Sequence, residues 1–232
     1  MKGRSRRDMT PPHRSKGRNA SSAPPPGPPP RPLTEALRQH LRLALEHHQH
    51  NRLAEAESAY RAILASAPHN ADALNLLGVI CLQTGRTAEA EQLLTAATRE
   101  DSSVAAYHDN LGSALAAQGR VGEAAAAHWR AVKLQPDFVA AHFNLANALD
   151  AAGRDEAEKA FRAALVLKPD YFKAWFNLGN ARERHQRHRE AATAFARAVA
   201  LEPTLPGART NLSDALSAAG DLAGALTHQR AA

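Results

Sequence analysis

The stretches HDNLGSAL (108–115), HFNLANAL (142–149) and WFNLGNAR (175–182) are three spellings of one phrase. The first two begin 34 residues apart and the last two 33. A fixed period in this range marks a repeat protein, whose units cannot bury their own apolar faces and stack on their neighbours instead. Extending the phrase outward gives six units: 37–70, 71–104, 105–138, 139–171, 172–205 and an incomplete 206–232. Each reads as helix, short turn, helix. In the third unit Leu111, Ala114 and Leu115, then Ala124, Ala127, Ala131 and Leu134, recur at helical spacing. Gln118, Gly119 and Arg120 interrupt the pattern where the first helix stops, and Pro136 ends the second.

The matched positions resemble the tetratricopeptide pattern, W-x2-L-G-x2-Y…A-x3-F…P. In the fifth unit these are Trp175, Leu178, Gly179, Ala191, Phe195, Ala198 and Pro203. The second unit has Leu77, Gly78, Gly85, Ala90 and Leu94, and the first, the most diverged, has Ala56, Tyr60 and Pro68. Ser102 stands where a proline is usual. The resemblance to the tetratricopeptide repeat family covers 37–232 and implies an all-α, right-handed solenoid whose first helices line an inner groove. Small residues (Gly78, Gly112, Gly179; Ala90, Ala124, Ala191) let the two helices of a unit approach, and Tyr60, Leu94, Phe161 and Phe195 fill the space to the next. The fourth unit is short because GRDEA (153–157) replaces the GRTAEA (85–90) and GRVGEA (119–124) of its neighbours. A tighter turn with intact helices is expected there.

Function is sought on the groove-facing positions of the first helices. The sixth residues of units two to six are Leu76, Asn110, Asn144, Asn177 and Asn211, and one turn further on come Val79, Ser113, Asn147, Asn180 and Asp214. Just before the asparagines lie Phe143 and Phe176, with Asn75 at the equivalent place earlier. A primary amide carries donors and an acceptor, so a row of them matches an extended backbone in either sense. At about 1 kcal/mol per hydrogen bond five asparagines supply about 5 kcal/mol, short of the roughly 8 kcal/mol of micromolar binding. The aromatic rings, or a second site, are expected to add the rest. The competing role for the same asparagines is to cap or brace neighbouring helices, although asparagine is a poor helix-interior residue. The candidate peptide-binding residues are therefore Asn75, Asn110, Phe143, Asn144, Asn147, Phe176, Asn177, Asn180 and Asn211.

The NLANAL and NLGNA phrasing also resembles the repeat array of the O-linked N-acetylglucosamine transferases and their bacterial relatives. That resemblance implies Asn110, Asn144, Asn177 and Asn211 as backbone contacts for a protein substrate. Because the sequence ends at Ala232, no nucleotide-sugar domain is expected in it, and transfer activity is not assigned. Arrays that clamp carboxylates use inner basic residues, for which only Lys173 and Arg184 qualify. The leading expectation is a protein-interaction scaffold; the alternative is the substrate-recognition part of such a glycosyltransferase.

Other chemistry is poorly served. His47, His48 and His50 lack the i, i+4 pairing and third partner of a metal site. Cys81, the single cysteine, falls on an apolar helix face and excludes an internal disulfide. No phosphate-loop, dinucleotide or nucleophile motif occurs, so no cofactor, metal or catalytic residue is expected. The chain carries 29 Lys and Arg against 23 Asp and Glu, but residues 1–32 hold eight of the former against Asp8 alone, leaving 21 and 22 for the body. With nine of the fourteen prolines, that tail is expected to be disordered, solvated, and at most a charge-driven contact for nucleic acid or anionic surfaces. No run reaches the length of a membrane span, which with one cysteine suggests a cytoplasmic protein. The last helix has Gln229 where other units place Tyr, Leu, His or Phe, so the C-terminal face is expected to be covered weakly and to favour self-association.

Overall fold

The computed structural model describes residues 35–229. The chain divides into Met1–Leu33 and Thr34–Ala232, and the basic, proline-rich tail lies outside the described residues. All regular structure described is α-helical: α1 (Glu35–Gln49), α2 (Leu53–Ser66), α3 (Ala71–Gln83), α4 (Thr87–Glu100), α5 (Ala105–Ala117), α6 (Val121–Leu134), α7 (Val139–Ala151), α8 (Glu156–Leu167), α9 (Phe172–Arg184), α10 (His188–Leu201), α11 (Ala208–Ala218) and α12 (Leu222–Gln229). Each helix packs on the next in the chain. The odd-numbered helices α3, α5, α7 and α9 also approach one another directly. They line the inside of the curve.

The turn within each unit is fixed by one residue in the left-handed region: Asn51 (φ 56°), Gly85 (77°), Gly119 (77°), Gly153 (66°), Gln186 (58°) and Gly220 (89°). In each case the next N–H returns to a carbonyl five residues back, as from Arg86 to Cys81 (2.8 Å), Arg154 to Leu149 (2.9 Å) and Arg187 to Arg182 (3.0 Å). This is the Schellman closure, which satisfies carbonyls that a helix end would leave open. It persists in the short fourth unit. The missing residue is therefore not taken from the turn, as expected from sequence, but from the start of α8, which has 12 residues where α4, α6 and α10 have 14. The closed turn holds its shape, so the adjustment falls on the first turn of the helix, whose N–H groups have no intrahelical partner to lose.

Within each unit the second helix sets a knob over a small residue of the first. A Cβ on Gly78 would lie 2.7 Å from the Leu94 side chain, one on Gly112 2.7 Å from the His128 ring, and one on Gly179 2.5 Å from Phe195. Ala44 under Tyr60 and Ala146 under Phe161 are the looser versions, all four side chains buried. Ring N–H groups tie α5, α7 and α9 to the loop before each: Trp175 Nε1 donates to the Pro169 carbonyl (2.8 Å), and His142 and His108 do the same to Pro136 (2.9 Å) and Ser102 (3.0 Å). Where Ser102 replaces the usual proline, the Asp101 carboxylate accepts from the Ser103 N–H (2.9 Å) and hydroxyl (2.6 Å). This closed turn ends α4 in its stead.

Candidate functional site: the amide-lined inner groove

The groove asparagines are linked from unit to unit. Asn110 Nδ2 donates to Asn75 Oδ1 (2.8 Å), Asn177 Nδ2 to Asn147 Oδ1 (2.7 Å), and Asn211 Nδ2 to Asn180 Oδ1 (3.1 Å). Asn144 Nδ2 reaches both oxygens of Asp109 (3.2 and 3.1 Å). All the predicted asparagines thus take part in a bridge between neighbouring units, and each bridge fixes the orientation of its amide. The register changes along the row. Asn110 and Asn144 are held by the fifth residue of the preceding unit, Asn177 and Asn211 by the ninth, one helical turn on.

An amide has two N–H groups and an oxygen with two lone pairs. Bridging uses one N–H of the donor and one lone pair of the acceptor. Among the described residues no donor reaches Oδ1 of Asn144, Asn177 or Asn211, and Asn147 and Asn180 give neither of their N–H groups to the protein. None of these atoms is buried and orphaned. Half-buried on the groove side, they are open to solvent. Units four to six therefore present acceptors from one row of positions and donors from the adjacent row. Asn75 differs, being 7 % exposed and serving chiefly as an anchor.

The aromatic residues are partly committed elsewhere. Phe143 lies 4.8 Å from Tyr171 and 6.2 Å from Phe161, ring centre to ring centre. Phe176 lies 5.7 Å from Phe195. Both are half-buried and packed against the core. Arg184 is paired with Asp150 of the preceding unit, and Lys173 lies over the Phe172 ring (5.9 Å), so the groove has little uncommitted positive charge in this unit.

Sequence reading missed Asp109 and His128. Asp109 is buried, and its Oδ1 lies 2.6 Å from His128 Nδ1, so one carboxylate joins α5, α6 and α7. The signal was present: one unit places an acid where others have Asn75, Phe143 or Phe176, and an imidazole where others have Leu94, Phe161 or Phe195. Two departures in one unit that face each other offset one another's burial cost.

On the outer side, arginines at the heads of α4, α6 and α10 clasp the preceding unit. Arg86 grips Glu57 with two bonds (2.6 and 2.8 Å), Arg120 binds Glu91 (2.6 Å), and Arg187 binds Glu158 (2.5 Å). The Arg86 guanidinium first, and Arg61 second, hold the Glu57 carboxyl down at about 2. His48 pairs with Gln83 (3.2 Å), His50 with the Glu46 carbonyl (2.8 Å), and His47 Nδ1 is buried without a partner, so the three imidazoles go separate ways. Cys81 is buried, and desolvation pushes its thiol up to about 11. No described helix is long and apolar enough to cross a membrane.

Comparison with known proteins agrees with this architecture. No curated protein gives a significant match. Among solved structures the chain is similar to MamA (25% identity, TM-score 0.64, covering 69% of this chain and 94% of that one). It also resembles pilF of Pseudomonas aeruginosa (19%, 0.74, 84% and 89%). A third is YrrB, described as a TPR protein with an unusual peptide-binding site (22%, 0.63, 73% and 88%). The tetratricopeptide repeat model matches residues 41–105, 85–128, 110–157 and 148–206, more than half of the chain. On that coverage, and on the knob, turn and helix pairing described above, the chain belongs to the tetratricopeptide repeat family.

Proposed function

We propose that the chain is a protein-interaction scaffold that holds an extended segment of a partner along the inner helices α7, α9 and α11. One observation carries this reading: each bridge consumes one N–H, orients the amide, and leaves Oδ1 of Asn144, Asn177 and Asn211 and the N–H groups of Asn147 and Asn180 facing the groove. Oriented donors and acceptors lose little freedom on binding, which is where preorganisation adds affinity. Alternating rows of the two kinds match the N–H and C=O of an extended backbone, and Phe143 and Phe176 add apolar edges beside them. The description of YrrB as carrying a peptide-binding site supports the class of ligand.

Bracing and binding are separable by substitution. Asp109 shows that a carboxylate serves as acceptor for a bridging asparagine. Asn147→Asp with Asn180→Asp therefore keeps both bridges and removes the outward donors. The doubly substituted chain is expected to keep its helical content and melting temperature, and to bind a peptide selected on the wild type about tenfold or more weakly, from two lost bonds at about 1 kcal/mol each. Undiminished binding would refute the groove reading.

A further inference from the structure

The inner row changes character along the array. At the sixth and ninth positions, where units four and five carry Asn144 and Asn147, Asn177 and Asn180, the second unit carries Leu76 and Val79, and the first carries Arg42 and Leu45. Leu45 is 37 % exposed, and Leu76 and Val79 are half-buried. Leu76 rests partly on the core between α1, α2 and α3, whereas Leu45 and Val79 belong to no core cluster. Unit three, with Asn110 and Ser113, stands between the two kinds of surface. At the opposite end the ninth position is Asp214, exposed and without a bridge. The apolar positions continue the register of the amide row, so a segment that follows the amides toward α1 passes directly over them.

We infer that the groove is composite, and that its partner segment carries aliphatic side chains at one end only. This rests on the reading of the groove given above. Amides that pair with a backbone are indifferent to side chains, so units three to six grip without choosing. Leu45, Leu76 and Val79 offer no hydrogen bond; they gain only by covering apolar side chains of the partner, and thereby fix which residues lie at that end and in which register. Packed helices lie about 8–10 Å apart and an extended chain advances about 3.3 Å per residue, so each unit spans about three residues of the partner. The aliphatic residues fall within roughly six residues at one end of a segment of roughly eighteen.

The test is a random eighteen-residue peptide library displayed on phage and selected on the full immobilised chain. The expected result is enrichment of Leu, Ile and Val in a window of about six positions at one end, with no preference elsewhere. Leu76→Asn with Val79→Asn, which copies the residues of unit four, is expected to erase that enrichment and to weaken a selected peptide about tenfold or more. Leu45→Asn, an exposed change that leaves the fold intact, gives a smaller loss in the same direction. Selected peptides without a positional aliphatic preference, or a preference untouched by these substitutions, would overturn the inference while leaving the groove reading standing if Asn147→Asp with Asn180→Asp still weakens binding about tenfold or more. If that amide variant binds the selected peptide undiminished, or if no peptide is selected at all, the groove reading itself fails and the inference with it.

Discussion

The junctions between units three and four and between units four and five are built differently. At the second, Asn177 bridges to Asn147 on the inside, and on the outside Glu158 is held by Arg187 (2.5 Å) and Arg182 (3.0 Å). At the first, the equivalent outer glutamate is replaced by Ala125, and Arg154 turns to its own neighbour Glu156 (3.2 Å). There α6 lies against α7 in more extensive contact than α8 against α9, and the inner link is the buried Asp109, shared by Asn144 and His128. The fifth and sixth units follow the first design, with Ala192 and Asp221 in place of glutamate and arginine, and α10 close on α11. A unit can be attached by an outer clasp or by close packing of a small residue. Where the clasp is given up between units three and four, the inner link becomes charge-assisted, the stronger class of hydrogen bond.

The comparison is open to attack from its largest effect downward. Asp109→Ala removes the shared acceptor and leaves His128 and Asn144 without partners. It is expected to cost about 3 kcal/mol, the orphaned buried imidazole of His128 carrying most of it and the lost Asn144 bridge the rest. Asn147→Ala, at the other junction, should cost about 1 kcal/mol. Equal losses in thermal melts of the two variants would dissolve the distinction. Ala125→Glu restores a carboxylate opposite Arg154, yet it forces a larger side chain into the close α6–α7 contact. A net loss of about 1–3 kcal/mol is expected; a gain would mean that packing does not substitute for the clasp.

Smaller effects follow at the clasped junctions. Glu158→Gln, at a partly buried pair, should cost about 1 kcal/mol, and should cost less in high salt. For Glu57 the folded carboxyl is depressed by Arg86 and Arg61, from 4.5 to about 2. Its contribution is therefore complete above about pH 4.5 and is lost as pH falls from there toward about 2. After discount for solvent screening this amounts to about 1 kcal/mol. Melting of the wild type and Glu57→Gln should converge across that window and stay parallel above it.

Much of this arrangement is legible in the sequence, and what is not has physical reasons. The period, the helix pairs and the asparagine row follow from local pattern, because helix spacing and turn residues act within one unit. The partner of each amide does not, because it depends on the stagger between units. That stagger brings Asn144 to the fifth position of the preceding unit and Asn177 to the ninth. The fate of the missing residue was misplaced for a related reason: the αL closure at Gly153 is rigid, whereas the start of α8 is not. Phe143 and Phe176 read as open from their position beside the row, but Tyr171 just before α9 and Phe195 on α10 pack against them, which the repeat pattern alone does not specify.

The central claim is that amides braced by their neighbours present their remaining groups to a partner backbone. The most direct measurement is the set of side-chain amide resonances of Asn110, Asn144, Asn147, Asn177, Asn180 and Asn211, followed by NMR while a library-selected peptide is titrated into the labelled chain. The account predicts that the side-chain N–H signals of Asn147, Asn177, Asn180 and Asn211 move together and saturate with the bound fraction, while the backbone signals of the even-numbered helices stay in place. Saturating binding with those side-chain signals unmoved, or with shifts gathered on α6, α8 and α10, would contradict it.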